Sequence, residues 1–344
     1  MNNDLKILYE AVKTFISKVR CEDLWYGFRP LRFALYNDTE CFFDGAYIEK
    51  TDRFLGNTSI EYNGEFIAIW YVTDASDPAI LASKMIHEMF HGFQNSNHDS
   101  RFPNELQALY HYRYSSENLS IKLEENRLLC ELTEVFDCEK LRQFLRCRKY
   151  RAIHFRYEFT YESQVEQIEG TANYIELQAL KQISPPLYRR KLAQMKDNIT
   201  KPQNLLPIRI LSYDTGALLL HILKENSIPF DQDFSDTAFS ENLIREVEAA
   251  EPCGINDNVT AAIDTYFADA QTIIDRAIAK NEVVMACRRP LLGVNFYNAV
   301  YLNGYITSTY FVMHGDESAP SIEHGDFVIE TPEEGLITKL YKMT

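Results

Sequence analysis

The sequence predicts an α+β protein with three parts: an N-terminal lobe on a mixed β-sheet, a mainly helical lobe, and a small C-terminal β-rich module. Three observations predict it. Residues 31–75 are rich in β-branched and aromatic residues, with turn signals between the runs. From residue 78 to about 285 apolar residues recur mostly at helical spacing. After Arg288-Arg289-Pro290 the composition returns to β-rich runs. The expected division is one domain over 1–287, with its β lobe at about 22–75 and its helical lobe at 76–287, followed by the module at 288–344.

The chain opens on an amphipathic helix. Leu5, Leu8, Val12, Phe15, Ile16 and Val19 recur at helical spacing with charges between them, which is not the pattern of a signal peptide. LRFALY and FIAIWYV then read as strands, and Asn63-Gly64 as a hairpin turn before the second. In DASDP, residues 74–78, Asp77 suits a helix N-cap and Pro78 the first helical position. Helices are expected over 78–95, 104–114, 117–134, 138–149, 159–182, 187–195, 213–225, 240–249 and 258–280, punctuated by Pro185-Pro186 and Pro202. In the C-terminal module an Asn-Gly pair again separates two β-rich runs in VNFYNAVYLNGYITSTYFVMH.

Bulk composition narrows the function. The 344 residues are 46% hydrophobic, enough for a sizeable core, and carry a formal charge of −15. That charge disfavours nucleic-acid partners and anionic membrane surfaces, because phosphate contacts need clustered Lys and Arg. It suits neutral or cationic substrates. Seven cysteines, Cys21, Cys41, Cys130, Cys138, Cys147, Cys253 and Cys287, form no CxxC pair. An odd number without pairing motifs argues against a disulfide framework and a thiolate zinc site, and suits a reduced, cytoplasmic setting. No run approaches the roughly 20 apolar residues of a membrane span.

The chemistry concentrates in MIHEMFHGFQ, residues 85–94. On a helix His87 and His91 lie one turn apart on one face, where two imidazoles reach one metal ion. Glu88 lies roughly 100° round the helix, positioned for a water rather than the metal itself. Leu81, Met85, Ile86, Met89, Phe90 and Phe93 make the rest of this helix apolar, so it is expected to be buried. Buried imidazoles need partners, and a Zn2+ ion is one. A third ligand is still required. His98 falls in the hydrophilic NSNHDS segment and reads as a solvated loop residue.

Glu162, Glu166, Glu169 and Glu176 form a row at helical spacing, which is either solvated charge or a source of that ligand. EGTANYIE, residues 169–176, resembles the EGxAxYxE segment of the gluzincin zinc metallopeptidases, the clan of thermolysin and the zinc aminopeptidases. SYDTGALLLHIL, residues 212–223, resembles their SYxKGA segment, with Thr215 in place of lysine. The resemblance implies a zincin-like catalytic domain, Glu169 as the third zinc ligand, and Tyr213 as the oxyanion donor. It also implies that Gly170 and Ala172 are small to let two helices approach. Glu166 stays open as a rival ligand, and Tyr161 and Tyr174 as rival donors. Asn173, four residues after Glu169, is expected to orient a histidine. The 78 positions between His91 and Glu169 imply a helical insertion at about 102–158, beside the cleft as a wall or lid. The segment EYNGEF lacks the GxMEN motif of the clan's aminopeptidases, which counts against exopeptidase activity. FIAIWYV is the candidate edge strand for pairing with an extended peptide.

The expected function is zinc-dependent peptide-bond hydrolysis with Glu88 as general base. The alternative is a catalytically silent metallopeptidase-fold module that binds or regulates a partner.

Overall fold

The computed structural model describes residues 5–73, 77–234, 236–250 and 254–343. Helix α1 (Leu5–Ile16) buries Leu5, Tyr9, Val12 and Ile16, one stripe at spacings of four and three. A short helix α2 (Cys21–Leu24) leads into a five-stranded sheet. Its strands are β1 (Phe33–Tyr36), β2 (Cys41–Phe43), β3 (Ala46–Ile48), β4 (Thr58–Tyr62) and β5 (Glu65–Tyr71), in the order β3-β2-β1-β5-β4. β1 and β5 run parallel and the other pairs antiparallel, so the sheet is mixed. Asn63-Gly64 turns the β4–β5 hairpin with φ of 52° and 82°, both in the left-handed region that Asn and Gly tolerate.

The FIAIWYV segment is not at the edge. β5 lies between β1 and β4, and β4 is the edge strand. The physical sign was its unbroken buried run, Ile67-Ala68-Ile69. Such a run marks a strand covered on both faces rather than one open on a side.

The helical lobe begins with α3 (Pro78–Ser96), whose N-cap Asp77 accepts from the backbone N–H of Ala79 at 2.8 Å. It continues through α4 (Glu105–His111), α5 (Ser116–Glu134), α6 (Cys138–His154) and α7 (Arg156–Val165). A π turn, Glu166–Gly170, joins α7 to α8 (Thr171–Ile183) as one continuous rod. Then come α9 (Pro185–Ile199), a 3₁₀ turn (Pro202–Leu205), α10 (Ile208–Glu225), α11 (Phe239–Asn242) and α12 (Asp257–Lys280). The helix expected at 240–249 therefore stops at Asn242. Beyond it Ile244 is buried, but Leu243 and Val247 are not, so no apolar stripe holds a longer helix. The stretch at 102–158 shares the main core through Leu119, Leu128, Leu129, Leu132 and Phe144.

The strand-rich C-terminal segment starts at Val283, before the expected 288. Its strands are β6 (Val283–Met285), β7 (Arg289–Val294), β8 (Val300–Leu302), β9 (Tyr305–Ser308), β10 (Phe311–Asp316), β11 (Ala319–His324), β12 (Phe327–Glu330), β13 (Leu336–Ile337) and β14 (Lys339–Lys342). They form two sheets, β11-β10-β7-β13 and β6-β14-β12-β9-β8, which share one apolar core. Helix α4 docks this module onto the helical lobe. Leu106, Leu109 and Tyr110 pack against its core, and the Tyr110 hydroxyl meets Thr331 Oγ1 at 2.9 Å. Helix α12 covers another face, with Ile274 and Ala277 against Val328 and Tyr341.

No described helix is long and apolar enough to cross a membrane. The six described cysteines are free, and Cys253 lies outside the described residues.

Candidate metal centre

Helix α3 is buried around most of its circumference, and its polar stripe meets the rod formed by α7, the π turn and α8. There the structure brings together His87, His91 and Glu169. His91 Nε2 lies 3.1 Å from His87 Nε2 and 3.2 Å from Glu169 Oε2, and His87 Nε2 lies 3.8 Å from that oxygen. Ligands about 2.0–2.1 Å from a tetrahedral zinc stand roughly 3.3 Å apart, so the three separations bracket that value. Two imidazoles and a carboxylate also suit zinc better than the hard cations calcium and magnesium.

The π turn explains how Glu169 gets there. In an uninterrupted α-helix, residues seven apart differ by only about 20° around the axis. Glu162 and Glu169 would then share a face. The extra residue in a π turn rotates the downstream helix by roughly 100°. Glu162 and Glu166 point one way, and Glu169 and Glu176 point towards α3. Both oxygens of Glu166 are committed elsewhere: Arg148 binds them at 3.1 and 2.6 Å, and the Thr215 hydroxyl donates to Oε1 at 2.9 Å.

Each imidazole faces a further acceptor. Gln94 Oε1 lies 2.8 Å from His91 Nδ1, and the Gln94 amide donates to Ile168 O and Thr171 Oγ1. Glu176 Oε2 faces His87 Nδ1 at 3.5 Å, which leaves that buried nitrogen without a true hydrogen bond. Lys191 holds the other Glu176 oxygen at 2.9 Å. Asn173, the expected orienting residue, instead donates to Asp214 Oδ1 at 3.0 Å. Glu176 and Gln94 take that position because they lie seven residues after Glu169 and three after His91, on the same helix faces.

Arg209, the first turn of α10, ties the centre together. Its Nη2 donates to Glu169 Oε1 at 3.0 Å and its Nη1 to the Tyr213 hydroxyl at 2.6 Å, while Nε pairs with Glu105 at 3.0 Å. Holding Oε1 this way leaves Oε2 for the imidazoles. Tyr213 lines the cleft beside His87 and Glu88. Tyr161 is engaged with Glu105 at 2.6 Å, and Tyr174 is buried and is not part of the cleft wall. His98 is exposed in the turn after α3. Gly170 does face another helix closely, but that helix is α10: a Cβ on Gly170 would stand 2.8 Å from Gly216 Cα.

Glu88 is 8% exposed, opens on the cleft, and makes no hydrogen bond or ion pair among the described residues. Burial pushes its carboxyl above the ordinary value, and the neighbouring imidazoles only partly oppose this. For His87 burial pulls downward, but Glu169 and Glu176 outweigh it and hold the imidazole up at about 10. Burial pushes Glu169 up, yet His91, His87 and Arg209 hold it well below the usual carboxylate range. The cleft itself encloses about 340 Å³, with Trp70 and Lys84 at one side and Tyr297 of the C-terminal module at another.

Sequence reasoning missed Gln94, Lys191, Arg209 and Tyr297. Gln94 and Arg209 carried a signal, since they lie three residues after His91 and four before Tyr213. Lys191 and Tyr297 carried none. Compared with protein-family models, with curated proteins and with solved structures, the chain matches none, so the reading of this cleft rests on its own geometry.

Proposed function

We propose that this protein is a zinc-dependent peptidase of the gluzincin type. One observation carries the reading: a His-His-Glu set at metal-ligand separations shares, through His87, the cleft lined by the buried, partnerless Glu88. His87, His91 and Glu169 would hold the ion. Zinc bound there supplies Lewis acidity, acidifying water in the cleft and polarising a carbonyl oxygen.

The remaining work falls to side chains. Glu88 takes a proton from water as its oxygen attacks the peptide carbonyl carbon. The same carboxyl then delivers that proton to the leaving nitrogen as the C–N bond breaks, giving a carboxylate and an amine. Tyr213 donates a hydrogen bond to the oxygen that gains charge. Arg209 supports this by donating to the phenol oxygen, which turns the phenolic proton away from the guanidinium.

Glu88→Gln tests the mechanism. The variant should bind as much zinc as wild type by elemental analysis. It should cleave a fluorescence-quenched peptide library roughly 10²–10⁴-fold more slowly. Equal cleavage by the two proteins ends the mechanism. Zinc in the wild type with no peptide cleaved at all favours a binding module on the same fold.

A further inference from the structure

We propose that Tyr297, supplied by the C-terminal β module, is a second catalytic phenol of the cleft, and that the module thereby completes the active site. The proposal rests on the hydrolase reading above and extends it to a residue 84 positions from Tyr213.

Tyr297 sits in the turn between β7 and β8 and lines the cleft with His87, Glu88 and Tyr213. Its hydroxyl lies 3.1 Å from that of Tyr213. The Arg209 guanidinium stands over both rings, 5.2 Å from the Tyr213 centroid and 5.3 Å from that of Tyr297. The turn is anchored. Asn295 Oδ1 accepts from the Tyr297 backbone N–H at 3.3 Å, Asn295 O accepts from Ala299 at 3.1 Å, and Ala299 is buried in the module's core.

A proton count gives the role. Arg209 donates to the Tyr213 oxygen. The two phenols own two protons, and one of these occupies the contact between them. The other has no protein acceptor among the described residues and is left to the cleft. Whichever phenol carries it, it ends a hydrogen-bonded chain that begins on a guanidinium, and such a chain strengthens its last donor. An ordinary tyrosine titrates at about pH 10, so both phenols keep their protons at neutral pH. The pair is therefore one donor unit aimed at a developing oxyanion, and Tyr297 is half of it.

Tyr297→Phe removes the hydroxyl and keeps the ring against Arg209, so packing is preserved. Two measurements decide. In cobalt-substituted protein, inorganic phosphate serves as a tetrahedral oxyanion probe, read by the visible spectrum. The variant should take up cobalt with an unchanged spectrum and bind phosphate about tenfold more weakly, the loss expected of one hydrogen bond to a charged group. In peptide cleavage kcat should fall about a hundredfold with KM little changed. The Tyr213→Phe/Tyr297→Phe double variant should be no slower than the worse single variant, as for groups acting as a unit. Wild-type phosphate affinity and kcat in Tyr297→Phe overturn the proposal alone. Failure of the wild type to take up cobalt overturns the metal reading first, and this proposal with it.

Discussion

Glu166 and Glu169 sit three residues apart on one π turn, yet the first ends in a buried ion network and the second beside the two imidazoles at the cleft's edge. The network holds three cations, Lys122, Arg148 and Arg151, and three carboxylates, Glu125, Glu162 and Glu166, all essentially without solvent exposure. Each charge finds an opposite one within 3.2 Å. Asn118, Tyr112 and Thr215 add hydrogen bonds. Around Glu169 the arrangement is incomplete in protein terms. Glu88 has no ion pair or hydrogen bond among the described residues. Single buried atoms without a hydrogen bond occur in both regions, His87 Nδ1 at the cleft and Glu125 Oε1, Glu162 Oε2 and Arg148 Nε in the network. Buried charge is expensive unless paired. The network meets that requirement from within the chain. The cleft meets it only in part, at Glu88.

The largest expected effect separates the two glutamates directly. Glu166→Ala leaves Arg148 with only Glu125 at 3.9 Å and Lys122 with Glu162 alone, so the buried network carries one excess positive charge, and breaking such a pair costs about 3–5 kcal/mol. Glu169→Ala removes a carboxylate that faces His87, His91 and Arg209, of which Arg209 keeps Glu105 and Tyr213. Losing it also costs metal-free stability, since burial pushes Glu169 up but His91, His87 and Arg209 hold it well below the usual carboxylate range. The cost should be less than for Glu166, because Arg209 keeps Glu105 and His87 keeps Glu176. Zinc binding is lost. Urea melts of the chelated proteins, paired with zinc analysis, check both halves. Similar loss of stability in the two variants would break the contrast.

Acid should act on the two regions at different pH. Burial pushes Glu166 up, but Arg148 and Lys122 win and hold it at about 2, below its ordinary value of 4.5. Glu162 is also lowered: burial raises it, and Arg151 and Lys122 more than reverse that. For a depressed carboxylate the stabilisation is present above the unfolded value and disappears as pH falls through the folded one. The loss thus runs from about 4.5 towards 2, on the order of 3 kcal/mol for Glu166. Glu125 has the opposite sign, raised by burial despite Arg151, and its protonation relieves part of this. Zinc should leave earlier. The proposed ligands must shed protons to bind it, and His87 holds its own tightly in the metal-free protein. Zinc release to a chromophoric chelator should precede loss of far-UV circular dichroism on acidification. Coincident transitions would merge the two regions into one.

A smaller effect concerns the acceptors behind the imidazoles. Gln94→Leu removes the partner of His91 Nδ1 without touching the network, and changes of this kind cost roughly 10–100-fold in metal affinity. A competition titration against a zinc buffer reads it, and stability should hold within about 1 kcal/mol.

The sequence made one half of this picture legible. His87, Glu88 and His91 stood out because they interrupt an apolar helix at a fixed spacing, and the Asn-Gly hairpins because few residues tolerate positive φ. The split between Glu166 and Glu169 was invisible, since no residue type encodes a π turn and an ideal helix puts the two near one face. The cations that claim Glu166 come from α5 and α6, tens of residues upstream, where Lys and Arg look like ordinary helix surface. Tyr297 and Lys191 belong to the cleft through tertiary packing alone. Asn173 was assigned by position in a motif, but its amide donates to Asp214.

Gly216 joins the two regions, so it offers the finest test. A Cβ there would stand 2.9 Å from Gly170 Cα and 3.0 Å from the Glu166 Cα and Cβ. These are backbone neighbours that cannot swing aside, so Gly216→Ala must push α10 away from the π turn. Overpacking of this kind costs about 1–3 kcal/mol. Alanine recovers about 1 kcal/mol through its better helix propensity, leaving a net loss of up to about 2 kcal/mol. Under the proposed function the cost should be larger than that figure suggests, because α10 carries Tyr213, the proposed oxyanion donor, and Arg209, which holds it, and small misplacements of such groups are costly. The expected result is a modest drop in melting temperature with a disproportionate fall in kcat and unchanged zinc content. If stability and cleavage fall in strict proportion, α10 does not set the geometry of the cleft. If neither changes, the helices have slack, and the network and the cleft are mechanically independent despite sharing a turn.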